Sequence, residues 1–157
     1  MADSGTKNHN RPKTMIEVQK EYIIKQSQEV TYQFISNPEN DLKWMSSAAE
    51  VAIKTEDTYD ITLKFFGKKM TFGIEMETTP NSCHDYRTTS GPLSFEGRYA
   101  MEPVAEGTKV TWTFKADPKN FFGLVPKVLL KNALDKQADK DIAALQKVME
   151  SYEPATV

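Results

Sequence analysis

Residues 15–24 alternate in polarity. Ile16, Val18, Tyr22 and Ile24 fall on one side and Glu17, Gln19 and Glu21 on the other. A period of two predicts a half-buried strand. Lys20 falls in the apolar phase. It reads as a strand-end side chain snorkelling to solvent rather than as a pocket cation. Ser27 suits the N-cap of a short helix that turns Val30, Phe34 and Ile35 inward. Asn37-Pro38 ends that helix, and Pro38 can open a second short one that closes near Trp44. A strand follows over about residues 48–54.

Five further alternations come next. Tyr59, Ile61, Leu63 and Phe65 share a phase, then a turn at Gly67-Lys68, then Met70, Phe72, Ile74 and Met76. Two alternating runs around a glycine turn predict a hairpin. Pro80-Asn81-Ser82 predicts another turn, and residues 83–90 a strand with His84, Tyr86 and Thr88 in phase. Gly91-Pro92 breaks it. Phe95, Tyr99 and Met101 share the next face, and after Glu106-Gly107 come Val110, Trp112 and Phe114. Connections this short imply an antiparallel meander.

The period changes after Asp117-Pro118. Leu130, Leu134, Ala138, Ile142, Leu145, Val148 and Met149 recur at helical spacing, which predicts a long helix from about residue 121 or 125 to about 151. Pro126 either sits in its first turn or kinks it. The order is thus strand, two short helices, six strands and a long helix. The fold class is α+β: a curved antiparallel sheet of about seven strands wrapped around the C-terminal helix.

A sheet that wide cannot be covered by one helix about 10 Å across, so it must curl around the helix. Gly73 and Gly97, in mid-strand, ease bending or leave space. The concave remainder is packed side chain or cavity. Tyr59, Phe72, Tyr86, Phe95, Tyr99 and Trp112 would line it, and the architecture more than any single residue points to a pocket. Phe121, Phe122, Leu124 and Val125 suit an apolar entrance rim.

Composition narrows the function. The chain has 157 residues, long enough to bury a core without disulfide or metal. A formal net charge of −2, with lysines spread out, argues against nucleic acid as partner. A single cysteine, Cys83, rules out an intrachain disulfide and points to a reducing compartment. Cys83 and His84 are strand neighbours on opposite faces, so they form no catalytic pair. Residues 1–14 lack a secretory core and read as a disordered tail, residues 15–152 as one domain, and residues 153–157 as a short tail. No stretch reaches the roughly 18 apolar residues of a membrane span. The expected location is the cytoplasm, without stable membrane insertion.

Several runs then resemble one family. They are Asn37-Pro38-Glu39-Asn40 with Trp44, Ser90-Gly91-Pro92, Phe95-Glu96-Gly97-Arg98-Tyr99, Met101-Glu102-Pro103, Glu106 to Trp112, and Asp141 to Lys147. Over roughly residues 15–150 the chain resembles the polyketide cyclase/dehydrase-like group of the START, or Bet v 1-like (SRPBCC), superfamily. The resemblance implies a helix-grip fold with an internal cavity. It also implies members as different as aromatase/cyclases, quinone or lipid carriers and toxin-like regulators. Two features depart from the pattern. Met45-Ser46-Ser47 stands where a proline is usual, and the loop at Thr55-Glu56-Asp57 lacks glycines.

No Walker motif, dinucleotide fingerprint, nucleophile elbow or metalloprotease helix is present. Two histidines and one cysteine exclude a multi-histidine or thiolate metal site. No cofactor is expected. The polar groups that could face the cavity are Lys20, His84, Tyr86, Tyr99, Gln137 and Asp141; Arg98 should point outward. His84 is the candidate catalytic residue, since an imidazole can move a proton near neutral pH. Tyr59, Phe72, Tyr86, Phe95, Tyr99, Trp112, Leu134, Gln137 and Asp141 are the candidate ligand-binding residues. The leading function is binding or carriage of a small hydrophobic ligand, lipid-like or polycyclic. The alternative is a cyclase or dehydratase that works by proton transfer on a polyketide-like substrate. A weaker alternative is a protein-interaction or stress-response domain.

Overall fold

The computed structural model describes residues 15–118 and 125–154. Seven strands form one sheet: β1 (Ile16–Ile24), β2 (Ala48–Thr55), β3 (Thr58–Phe65), β4 (Lys68–Thr79), β5 (Cys83–Ser90), β6 (Ser94–Val104) and β7 (Gly107–Asp117). Their spatial order is β1-β7-β6-β5-β4-β3-β2, and every pair is antiparallel. The meander from β2 to β7 is therefore closed off at its far side by β1. The chain crosses from one sheet edge to the other through α1 (Gln28–Ile35), a 3-10 turn (Pro38–Asn40) and α2 (Asp41–Trp44). The last element is α3 (Lys127–Glu150).

Local chemistry explains these boundaries. The Ser27 hydroxyl caps α1 by accepting the Val30 N–H at 3.2 Å. Asn37 caps the 3-10 turn in the same way through Glu39, with Pro38 at its first position. Pro126 is the N-cap residue of α3, so it starts that helix rather than kinking it. The β3–β4 turn is Phe66-Gly67, one residue earlier than the sequence predicts. Both residues have positive φ, 51° and 76°. A two-residue hairpin of this kind needs positive φ at both central positions, and here a phenylalanine accepts one of them.

Helix α3 is fastened to the sheet by polar contacts along its length. Lys20 Nζ reaches Asp139 at 3.0 Å and Asp135 at 3.7 Å. Gln146 Nε2 donates to the Ile23 carbonyl at 3.0 Å. Gln26 Nε2 donates to the carbonyls of Met149 at 2.7 Å and Tyr152 at 3.2 Å, so a side chain just beyond β1 satisfies the C-terminal end of the helix. Lys20 is thus neither a snorkeller nor a pocket cation: it bridges β1 to two helix carboxylates.

Among the described residues, no helix is long and apolar enough to cross a membrane.

Candidate functional site

The interior is divided. One apolar cluster centres on Ile24, Phe34, Val110 and Leu145 under α1 and the C-terminal half of α3. A second gathers Tyr59, Ile61, Met70, Phe72 and Ile74 on β3 and β4. A third joins Ile16 and Val18 to Leu130 at the start of α3. Seven strands at about 4.8 Å spacing make a sheet roughly three helix widths across, so one helix cannot fill its concave side. A cavity of about 180 Å³ takes wall residues from all three clusters.

The ten residues named from the sequence as catalytic or ligand-binding candidates line this cavity, while Lys20 does not: His84, Tyr59, Phe72, Tyr86, Phe95, Tyr99, Trp112, Leu134, Gln137 and Asp141. Phe72, Phe95, Trp112, Tyr99 and Tyr86, joined by Phe114, form a continuous band. Ring centroids lie 4.9 Å apart for Phe72–Phe95, 5.6 Å for Phe95–Phe114, 5.5 Å for Phe114–Trp112 and 6.5 Å for Trp112–Tyr99. Trp112 Nε1 donates to the Tyr86 hydroxyl at 3.0 Å, and Tyr86 in turn engages Tyr99. The imidazole of His84 stacks on Tyr99 at 6.1 Å. The cavity reaches Pro118 and, in the first turn of α3, Leu130. Of the expected entrance rim, Val125 is exposed; residues 121, 122 and 124 lie outside the described residues.

The titratable groups on the wall are displaced from their ordinary ranges, and burial is the leading cause in each. It lowers the His84 imidazole to about 4, with Asp85 opposing the change. His84 is therefore neutral at pH 7 and does not titrate near neutrality as its type suggests. The hydroxyls of Tyr22, Tyr59, Tyr86 and Tyr99 are all pushed above their usual range and remain protonated. The Asp141 carboxyl is raised by burial, against the Ser46 and Gln137 groups that bond it. Its Oδ1 accepts the Ser46 backbone N–H at 3.1 Å, so Asp141 ties the segment after α2 to α3. A proline at Ser46 could not make that bond.

The residue missed by sequence reasoning is Asp41. It is buried on the cavity wall, and desolvation alone pushes its carboxyl up to about 8, so it is mostly protonated at pH 7. Pro38, Asp41 and Trp44 recur every three residues and all face the cavity. That spacing was the available signal: a carboxylate in the apolar phase of a short helix.

Arg98 and Cys83 bond to Asp85, away from the cavity wall. Arg98 lies on the outer face, bonded to Asp85 through Nε at 2.7 Å and Nη2 at 2.9 Å. The Cys83 thiol donates to Asp85 at 3.6 Å and does not approach His84 as a pair. Among the described residues, no three His, Cys, Asp or Glu side chains gather as a metal site.

Residues 15–150 match the family model described as polyketide cyclase/dehydrase and lipid transport. Solved structures share the fold. The di-domain ARO/CYC StfQ from the steffimycin biosynthetic pathway superposes with a TM-score of 0.74 at 12% identity, covering 94% of this chain and 55% of that one. A START superfamily protein from Mycobacterium smegmatis gives a TM-score of 0.73 at 16% identity, covering 87% of this chain and 97% of that one. A conserved protein from Geobacillus kaustophilus gives 0.72 at 17% identity, over 87% and 95%. No curated protein sequence matches the chain.

Proposed function

The chain belongs to the polyketide cyclase/dehydrase and lipid transport family, and within it we propose that this protein binds a small, largely apolar molecule in the cavity between sheet and α3. The observation that carries this reading is the cavity of about 180 Å³ with its aromatic band. Apolar cavities of roughly 150 Å³ accept a benzene-sized guest, whereas drug-sized ligands need about 300 Å³ or more. The size favours a ligand of one or two rings, or a short chain, over an extended polyketide.

Native mass spectrometry of protein purified from its own source tests this directly. A bound small molecule is expected, and Ala138→Leu, which places bulk on the cavity side of α3, should lose it while keeping the wild-type circular dichroism. Protein that carries no adduct and takes up no naphthalene would overturn the reading.

A second reading, proton-transfer catalysis, draws on one specific observation. Asp41 is held protonated and His84 neutral on the same wall. Two groups whose environments drive them to opposite protonation states suit an acid and a base. In such a step His84 would accept a proton from the carbon beside a carbonyl while Asp41 gives one to the carbonyl oxygen, leaving a neutral enol. Incorporation of solvent deuterium at that carbon, lost in both Asp41→Asn and His84→Gln, is the expected signature; exchange unaffected by either variant removes the reading.

A further inference from the structure

Strand β2 is an edge of the sheet. The strand order ends there, and β2 pairs with β3 on its inner side. Residues 49–55 are exposed apart from the half-buried Val51. An edge strand presents backbone N–H and C=O groups to any further strand, and its side chains decide which strand can add.

The register with β3 sorts those side chains by face. Val51 and Ile53 lie opposite the buried Ile61 and Tyr59, so they take the concave side. Val51 packs against the cluster of Tyr59 and Phe72, but Ile53 is left 47% exposed. Glu50 and Ala52 lie opposite Thr62 and Asp60 and take the convex side. Lys54 falls at a register shift. Its Nζ reaches Asp60 at 3.1 Å, which puts it on the convex side with Ala52.

A second copy of the chain fits this pattern. Two antiparallel strands related by a two-fold axis perpendicular to the sheet keep each residue on its own face, so opposed residues must share a face. With the axis at Ala52, Glu50 faces Lys54 of the second copy, and Lys54 faces its Glu50. On the concave side Val51 faces Ile53 of the second copy, which covers the exposed isoleucine of each chain. The axial pair is Ala52 with itself and brings no charges together. Moving the axis to Ile53 sets Glu50 against Glu56, and moving it to Val51 leaves Glu50 and Lys54 opposite alanines.

Lysines and bulges on an edge strand ordinarily discourage further pairing. Here the register shifts fall between Ala48 and Glu50 and between Ile53 and Thr55, so they flank residues 50–53 rather than interrupt them. The lysine meets a glutamate.

We propose that β2 is a self-association edge: two copies of this chain pair through β2 in the antiparallel register centred on Ala52, held by two reciprocal Glu50–Lys54 ion pairs. A ladder this short makes a weak dimer, below the area of a standard interface. The cavity plays no part in it, so the proposal stands or falls apart from the ligand.

Sedimentation velocity on the full chain, from about 10 µM to about 1 mM, should show a monomer–dimer equilibrium that weakens as salt rises. Glu50→Lys and Lys54→Glu each set like charges together at both pairs, and each should raise the dissociation constant about tenfold or more. An equimolar mixture of the two variants should dimerise to within about threefold of wild type, because each supplies the charge that the other has lost. The double variant Glu50→Lys/Lys54→Glu should recover likewise. Both positions are exposed, and urea midpoints near wild type check that the variants are folded. Lys54→Gln, which sets no acid beside Asp60, should weaken the dimer less than Lys54→Glu. A monomer at every concentration overturns the proposal. So does a dimer that either charge reversal leaves unchanged, or one that neither the mixture nor the double variant restores.

Discussion

Tyr86 lies across Gly97, its register partner on β6, so closely that a methyl group on Gly97 would overlap both the hydroxyl and the ring of Tyr86. The glycine therefore leaves space for that ring rather than for a ligand. It lets the tyrosine ring approach the sheet, where its hydroxyl accepts the Trp112 Nε1 hydrogen bond. Gly97→Ala should displace that ring and break the bond. Overpacking of this kind costs about 1–3 kcal/mol. Urea denaturation should show a lower midpoint with an unchanged m value; a wild-type midpoint would mean that Tyr86 is not held against Gly97.

The two buried titratable groups make stability depend on pH in opposite senses. Asp41 is raised from 3.8 to about 8 in the folded protein. Its contribution is complete below pH 4 and is lost as pH rises toward 8, because the folded state keeps a proton that the unfolded state releases. His84 is lowered from 6.5 to about 4. Its contribution is present above pH 6.5 and is lost as pH falls toward 4. The two slopes nearly cancel between pH 4 and 6.5. Above that, of these two groups, Asp41 acts alone. Stability should therefore fall by about 1–2 kcal/mol from pH 6.5 to 8, at roughly 1.4 kcal/mol per pH unit for a full proton. Asp41→Asn, which cannot ionise, should flatten most of that fall in denaturation midpoints measured across the range. A fall of the same size in the variant would show that Asp41 does not govern it.

The strands and α3 were legible because each has one face to hide, and the period of its apolar residues records which. The positions on the cavity were legible for the same reason: Tyr59, Phe72, Tyr99 and Trp112 sit in the buried phase of their strands. Three things were not. The pairing of β1 with β7 joins residues nearly a hundred positions apart, and no local period encodes it. Gln26, polar and outside any periodic run, gave no sign that it reaches Met149 and Tyr152 at the far end of the chain. Asp41 sits in the first turn of α2, where an acid is ordinary, so its three-residue spacing from Pro38 and Trp44 is a weak signal beside the packing that buries it. Protonation states fall in the same class. His84 has an unperturbed value near neutrality, and its surroundings rather than its type move it to about 4.

The aromatic band should matter more to binding than any ionisable group. Removing apolar surface from water yields about 25 cal/mol per Å², so a few hundred Å² of ligand surface supplies several kcal/mol. One neutral hydrogen bond adds only about 0.5–1.5 kcal/mol net. Trp112 stacks on both Phe114 and Tyr99, so its loss opens the band at its middle. Trp112→Ala should weaken naphthalene binding by about tenfold or more, and should also destabilise the fold by about 3–5 kcal/mol. Affinity must therefore be read under conditions where denaturation curves show the variant folded. His84→Gln keeps a polar group of similar size and should leave naphthalene binding within about threefold, since a single neutral hydrogen bond at most is at stake. If His84→Gln weakens binding more than Trp112→Ala does, the affinity resides in the polar side of the cavity and the apolar account is wrong. If it leaves binding intact but abolishes deuterium exchange into a bound ketone, His84 is a catalytic base and the protein is an enzyme rather than a carrier.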